Sequence, residues 1–189
     1  MNDTLAARLN ALGLLAVSAV LCFAFADQLL YGELPCPLCL LQRMGFVLAG
    51  FGLALNLKFG QRASHYGVLA LGAAAGFMYA VRQVLLHITP GSGSYGDPFM
   101  GLHFYTWAAI LFFVMIVGAA LLTLFDRGFR ATVREAPPEE HRDRLALTAL
   151  IVFTLVVAAN GISTLLECGG GLCPDNPMGY ELLSFQTGV

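Results

Sequence analysis

Five stretches of this chain are each apolar enough, over enough residues, to cross a lipid bilayer, and nothing else in the sequence constrains the fold as strongly. A helix needs about 20 mainly apolar residues to span ~30 Å of hydrocarbon. Leu9 to Ala26, extending to about Leu30, forms the first such run. Leu40 to Leu57, Tyr66 to about His87, Leu102 to Phe125 and Leu145 to Leu166 form the others. Charged residues make up only 12% of the 189 residues and the net charge is −2. Too few charges remain to cover a water-facing surface, which excludes an ordinary soluble enzyme, a disordered chain and a nucleic-acid binder. The expected fold is an all-α membrane protein: a four-helix transmembrane bundle plus a fifth transmembrane helix.

Basic residues set the expected orientation. Arg8, Lys58, Arg62, Arg127, Arg130, Arg134, Arg142 and Arg144 all fall on one side of a five-span chain. The positive-inside rule makes that side cytoplasmic, with the N-terminus inside. The expected parts are a core over 1–126, a cytoplasmic linker over 127–144, the fifth helix over 145–166 and a tail over 167–189. Residues 1–26 also resemble a signal peptide, with Ala24-Phe25-Ala26 before Asp27. The apolar run is long for that role, so it is expected to stay as a helix. Glycines at 45, 50, 52, 67, 72 and 76 permit close helix contact, but ordinary membrane-helix composition explains them equally well.

Two of the ten basic residues break the pattern. Arg43 lies near the start of the second run and Arg82 near the end of the third, followed by His87. Charges inside a membrane span are usually functional, although arginine near a helix end also snorkels to the headgroups. The same expected face carries Cys36-Pro37-Leu38-Cys39, the loop Thr89 to Gly101 and the tail with Cys168 and Cys173. Paired cysteines can be redox centres, structural bridges or metal ligands. An oxidising compartment argues against metal. A Cys-X-X-Cys unit opening a helix near Leu38 or Cys39, with Arg43 one turn along from Cys39, favours a reactive thiolate. The Gly169-Gly170-Gly171 run suits an exchangeable second disulfide that a partner can reach. Cys22 is expected to be a buried small hydrophobe. Tyr95, Asp97, Pro98 and His103 are expected to make a turn with interfacial aromatics, the alternative being a part in a ligand entrance or a docking surface.

The stretch Cys36-Pro37-Leu38-Cys39-Leu40-Leu41-Gln42-Arg43, directly after a first membrane helix, resembles the DsbB family of bacterial inner-membrane thiol:quinone oxidoreductases. Arg82-Gln83-Val84 adds to the resemblance, which covers roughly residues 10–126. It implies a four-helix bundle holding ubiquinone or menaquinone beside the Cys-X-X-Cys, and a periplasmic thioredoxin-like (DsbA-type) dithiol partner. By motif position, Cys39 is the sulfur next to the quinone and Cys36 the one that exchanges with a second pair. Arg43 would stabilise the Cys39 thiolate and the reduced quinone. His87 stands roughly where the family has a histidine associated with quinone chemistry, with different local spacing.

The chain departs from that family in one large respect. The family's second cysteine pair normally lies between the third and fourth helices, where this chain has none; here Cys168 and Cys173 follow a fifth helix. The expected catalytic set is therefore Cys36, Cys39, Cys168 and Cys173, with Arg43, Arg82 and His87 as candidates for holding quinone. Rival readings are a vitamin-K-epoxide-reductase-like enzyme, whose Cys-X-X-Cys normally lies late in the bundle, an outward electron carrier, and a scaffold with structural bridges.

Overall fold

The structure, a computed structural model, describes residues 3–89, 91–96, 98–124, 144–175 and 177–184. The expected linker over 127–144 falls outside these, except for Arg144, as does Asp97. Six helices are described: α1 (Asp3–Tyr31), α2 (Pro37–Phe59), α3 (Ala63–His87), α4 (Phe104–Leu124), α5 (Arg144–Cys168) and the single turn α6 (Glu181–Ser184). The first five are long and apolar enough to cross a membrane, and no strand occurs among the described residues. This is the all-α, five-span architecture the apolar runs predict.

The helices pack in two groups that share α2. α2, α3 and α4 pack in sequence, while α1 lies against α2 and α5 lies mainly against α1. Apolar surface gains little by leaving lipid, so close approach and polar contacts must hold such a bundle. Glycine supplies the approach. A Cβ on Gly45 would come within 2.6 Å of Gly76 Cα, and one on Gly72 within 2.6 Å of the Ala49 nitrogen. Phe112 fills the space beside Gly45 and Gly76 and stacks on Phe46 at 4.0 Å between ring centroids. Gly67, by contrast, faces open space.

Polar contacts tie the helices at both ends. At the end holding the α2–α3 turn, Asn10 donates to the Tyr66 hydroxyl at 2.9 Å and Asn56 donates to Asn10 at 3.0 Å. Asn56 Oδ1 in turn accepts the Arg62 backbone N–H at 3.2 Å and lies 3.1 Å from His65 Nδ1. These bonds join α1, α2 and α3. The opposite end carries the cysteines.

Cys22 corrects one expectation. It is a free thiol exposed on the outside of α1, not a core residue. Its neighbour Leu21 points into the core, and one residue along a helix turns the side chain through about 100°. On a spanning helix that outer face meets lipid, where a small apolar thiol carries no penalty.

Candidate active site

The local sequence explains why α2 opens at the first cysteine. Pro37 occupies the first turn, where its missing N–H and fixed φ suit a helix start. Cys36 is the cap: its backbone is extended at φ −66°, ψ 161°, and its Sγ accepts the Cys39 N–H at 3.2 Å. The helix therefore begins one to two residues before Leu38 or Cys39, and the Cys39 amide in its first turn points at the Cys36 sulfur. Cys36 and Cys39 are joined in a disulfide with Cα atoms 5.0 Å apart.

A buried amide pair holds this disulfide from α3. Gln83, only 2% exposed, directs its Nε2 at Cys36 Sγ at 3.4 Å and at Cys39 Sγ at 3.6 Å. Gln42, one turn along α2, donates to Gln83 Oε1 at 2.6 Å. With its oxygen accepting from Gln42, the Gln83 amide presents its Nε2 to both sulfurs.

Arg43 reaches in another direction. Its Nη1 donates to Gln28 Oε1 at 2.8 Å and to Asn160 Oδ1 at 3.4 Å, and its Nη2 donates to the Ala24 carbonyl at 2.8 Å. Gln28 donates onward to Ser163 at 2.9 Å and to the Tyr180 hydroxyl at 2.9 Å. Arg43 thus pins α1, α2 and α5 together and draws the tail over them. Glu167, Asp27 and Tyr180 all act on its charge.

The cavity between these groups occupies about 590 Å³. Cys39, Gln42, Arg43 and Gln83 line its polar end, with Asp27 and Glu33 also at the wall. Val20, Phe23, Phe46, Phe99, Phe104 and Leu111 are among its apolar lining. The loop before α4 forms part of that wall. Tyr95 donates to the Leu34 carbonyl at 2.6 Å, Trp107 donates to the Phe99 carbonyl at 3.0 Å, and Phe99 and Leu102 form a short backbone bridge. Burial, then the Glu167 and Glu33 carboxylates, push the Tyr95 phenol above its ordinary value, so it remains a neutral donor.

The sequence candidates divide on this geometry. Cys39 and Arg43 line the cavity; Cys36 does not, although it shares the disulfide. Arg82 is exposed on α3, and it is the next residue, Gln83, that turns inward. His87 lies behind the wall, its ring 5.5 Å from Tyr105, which lines the cavity and also stacks on His103 at 5.2 Å. Cys168 and Cys173 form the second disulfide, with Cα atoms 4.5 Å apart, at the same end of the bundle. Cys168 is buried, whereas Cys173 is half-buried beside the exposed glycines. Gln28, Asn160 and Glu167 are not among the candidates the sequence offers, and Gln42 and Gln83 enter only as members of the motif stretches. Their signal is a polar side chain inside an apolar run, the signal that also marks Arg43.

The family model for Disulfide bond formation protein DsbB matches residues 6–94, from α1 through α3. A Disulfide bond formation protein B from Xanthomonas euvesicatoria pv. vesicatoria is 31% identical over 157 residues, which cover 64% of this chain and 88% of the relative. The chain belongs to the DsbB family. Shorter matches agree: a Disulfide bond formation protein B from Xanthomonas axonopodis pv. citri is 38% identical over 84 residues, 42% of this chain and 49% of that protein. One from Marinobacter nauticus is 40% identical over 80 residues, 40% of this chain and 48% of the relative. No solved structure matches. As a DsbB-family chain with five spanning helices, this is a multi-pass membrane protein of disulfide bond formation. The family model stops at residue 94, before α4, α5 and the second cysteine pair.

Proposed function

We propose that this protein is a thiol:quinone oxidoreductase of the bacterial inner membrane. It reoxidises a periplasmic thioredoxin-like (DsbA-type) dithiol protein and delivers the electrons to ubiquinone or menaquinone. One observation carries this reading: an apolar cavity of about 590 Å³ ends on the disulfide sulfur of Cys39 between Arg43 and Gln83. A flat, largely apolar ring with polar oxygens at its edge suits such a lining. A quinone held there would accept two electrons and two protons from the Cys36–Cys39 dithiol.

The protein's own groups divide the work. Gln83 holds both sulfurs and stabilises a thiolate by charge-assisted hydrogen bonding. Arg43 contributes positive charge at the polar end of the cavity and a donor face for a quinone oxygen. His87 acts through the Tyr105 ring, and Arg82 sits on the surface at headgroup level. Cys36, outside the cavity lining, exchanges with the second pair. Of that pair, half-buried Cys173 is the sulfur open to attack. A partner thiolate bonds to Cys173 Sγ, the Cys168–Cys173 bond breaks, and Cys168 leaves as a thiolate. Leu172, 97% exposed, and Met178, 93% exposed, supply apolar contact for the docked partner. In this reading residues 1–126 are the quinone core, 127–144 a cytoplasmic linker, and 145–189 the helix and periplasmic tail that present the second pair.

The test is quinone reduction by purified protein in detergent, driven by a reduced DsbA-type protein. Cys39→Ser should abolish turnover; mixed instead with the partner in its oxidised form, Cys168→Ser should hold a mixed disulfide, its Cys173 thiolate having opened the partner's disulfide. Normal turnover by Cys39→Ser would defeat the proposal. Trapping through Cys168 in a Cys173→Ser protein, with none through Cys173, would reverse the assignment of the tail sulfurs.

A further inference from the structure

α5 carries more than the second cysteine pair. Its buried face near the cysteine end is polar: Asn160, Ser163 and Glu167 recur at helical spacing within an otherwise apolar helix. Asn160 accepts from Arg43 and Ser163 accepts from Gln28, so two of the three have partners across the helix contact. Glu167 does not. It is fully buried at 0% exposure, and neither carboxyl oxygen has a hydrogen-bond partner among the described residues. A buried carboxyl with no hydrogen bond costs free energy that packing alone does not return. Such a group is kept where its proton has work to do.

The surroundings indicate what that work is. Glu167 immediately precedes Cys168 in the last turn of α5, and both side chains are buried. Arg43 on α2 is the charge that bears on it directly, and Asp27 on α1 and Tyr180 in the tail bear on the same arginine. Tyr95 in the loop before α4 feels both Glu167 and Glu33, and Glu181 of α6 reaches back to Gly169 beside it. One buried carboxyl therefore adjoins the second disulfide in sequence and bears electrostatically on the arginine that lines the cavity.

We propose that Glu167 is the proton acceptor for electron transfer between the two cysteine pairs. The inference rests on the relay reading above. The Cys168 thiol gives its proton to the Glu167 carboxylate, and the resulting thiolate attacks Cys36 Sγ. The Cys36–Cys39 bond breaks and its electron pair leaves on Cys39. Cys173 then closes onto Cys168 and releases Cys36. Two electrons pass from the second pair to the first. The two protons lost by Cys168 and Cys173 end on Cys36 and Cys39, one of them by way of Glu167. While Glu167 holds that proton, the Arg43 charge is no longer offset by a neighbouring carboxylate and favours the Cys39 thiolate just as it forms. The fifth helix thereby links the arrival of electrons at one disulfide to the electrostatics of the other.

The experiment follows both disulfides in the full-length protein after one equivalent of dithiothreitol, with acid quench, alkylation and mass analysis of each cysteine pair from pH 5 to 9. Glu167→Gln should leave reduction of Cys168–Cys173 unchanged and slow the appearance of Cys36 and Cys39 thiols by roughly tenfold or more, the scale of a lost proton acceptor. The variant should also lack the pH dependence of that second step, and Glu167→Asp should restore part of both. Thermal unfolding in detergent shows whether each variant is folded. Equal rates and the same pH profile in wild type and Glu167→Gln would overturn the proposal. Because dithiothreitol replaces the partner and no quinone is added, these readings stand apart from any failure of partner or quinone activity.

Discussion

Replacing Gln83 by leucine separates what its amide does for the sulfurs from what it does for packing. Leucine fills a similar volume but offers no donor to Cys36 Sγ or Cys39 Sγ, which the Gln83 amide reaches at 3.4 and 3.6 Å. A donor helps a thiolate more than a disulfide sulfur, so Gln83 favours the reduced pair. Hydrogen bonds to charged groups contribute about 1.5–3 kcal/mol, and for a two-electron couple about 1.4 kcal/mol corresponds to 30 mV. The reduction potential of Cys36–Cys39 should therefore fall by roughly 30–65 mV. The same substitution strands the Gln42 amide, which now donates to Gln83 Oε1. That loss costs about 1–3 kcal/mol in both redox states, so it lowers thermal stability without moving the potential. The assay is equilibration with glutathione buffers in a Cys168→Ser/Cys173→Ser background, read as the alkylated mass of the remaining pair. Gln42→Leu is the control: it removes the buttress but keeps the donor, and should move stability more than potential. An unchanged potential in Gln83→Leu would refute the assignment of the amide to the thiolates.

Arg43→Met removes the donors to Gln28, Asn160 and the Ala24 carbonyl. Each stranded acceptor costs about 1–3 kcal/mol, so the melting temperature in detergent should drop clearly, with quinone-dependent turnover reduced tenfold or more; Arg43→Lys should recover only part, since one ammonium cannot span both α1 acceptors and Asn160. Gly72→Ala places a Cβ against the Ala49 backbone and should destabilise the α2–α3 contact by about 1–3 kcal/mol, whereas Gly67→Ala, facing open space, should be nearly neutral on the same melting assay. Tyr95→Phe loses the bond to the Leu34 carbonyl and should cost about 1 kcal/mol, read as faster hydrogen exchange in the loop before α4. Because the folded phenol titrates above its unfolded value of about 10, its contribution is complete below pH 10 and fades as pH rises through the folded value; the Phe variant should lack that alkaline decline.

The spans, the opening of α2 at the Cys-X-X-Cys and the pairing of Arg43 with the cysteine end were legible because apolar length and charge are local properties of sequence. Contacts between distant segments were not. Arg82 and Gln83 are adjacent, and attention falls on the charge, yet a rotation of about 100° puts the neutral amide on the sulfurs and the cation on the surface. Arg43 and Cys39 do share the cavity wall, but the guanidinium spends its hydrogen bonds on α1 and α5. No spacing rule could show that, because Asn160 lies 117 residues away. His87 shares the depth of the site and stands roughly where the family has a histidine, but the Tyr105 ring stands between it and the cavity.

Moving the second cysteine pair from a loop to the end of a helix changes what the rest of the bundle must do. A loop between α3 and α4 would arrive beside the cavity from the α3–α4 side. α5 instead packs on α1, so its cysteines approach from the opposite group of helices. Arg43 is the side chain that bridges the two, bonded to Gln28 on α1 and to Asn160 on α5 while lining the cavity from α2. The bonds from Gln28 to Ser163 and Tyr180 extend the same bridge to the tail. An α5 that served only as an anchor would keep an apolar face toward α1, as Ala149 and Phe153 do in its first half. The change to Asn160, Ser163 and Glu167 in the second half occurs at the level of Arg43. That coincidence of depth ties the fifth helix to the proposed electron transfer between the two cysteine pairs: replacing Asn160 by alanine and Ser163 by valine should preserve insertion in the membrane yet slow the appearance of Cys36 and Cys39 thiols, read by alkylation, after the second disulfide is reduced.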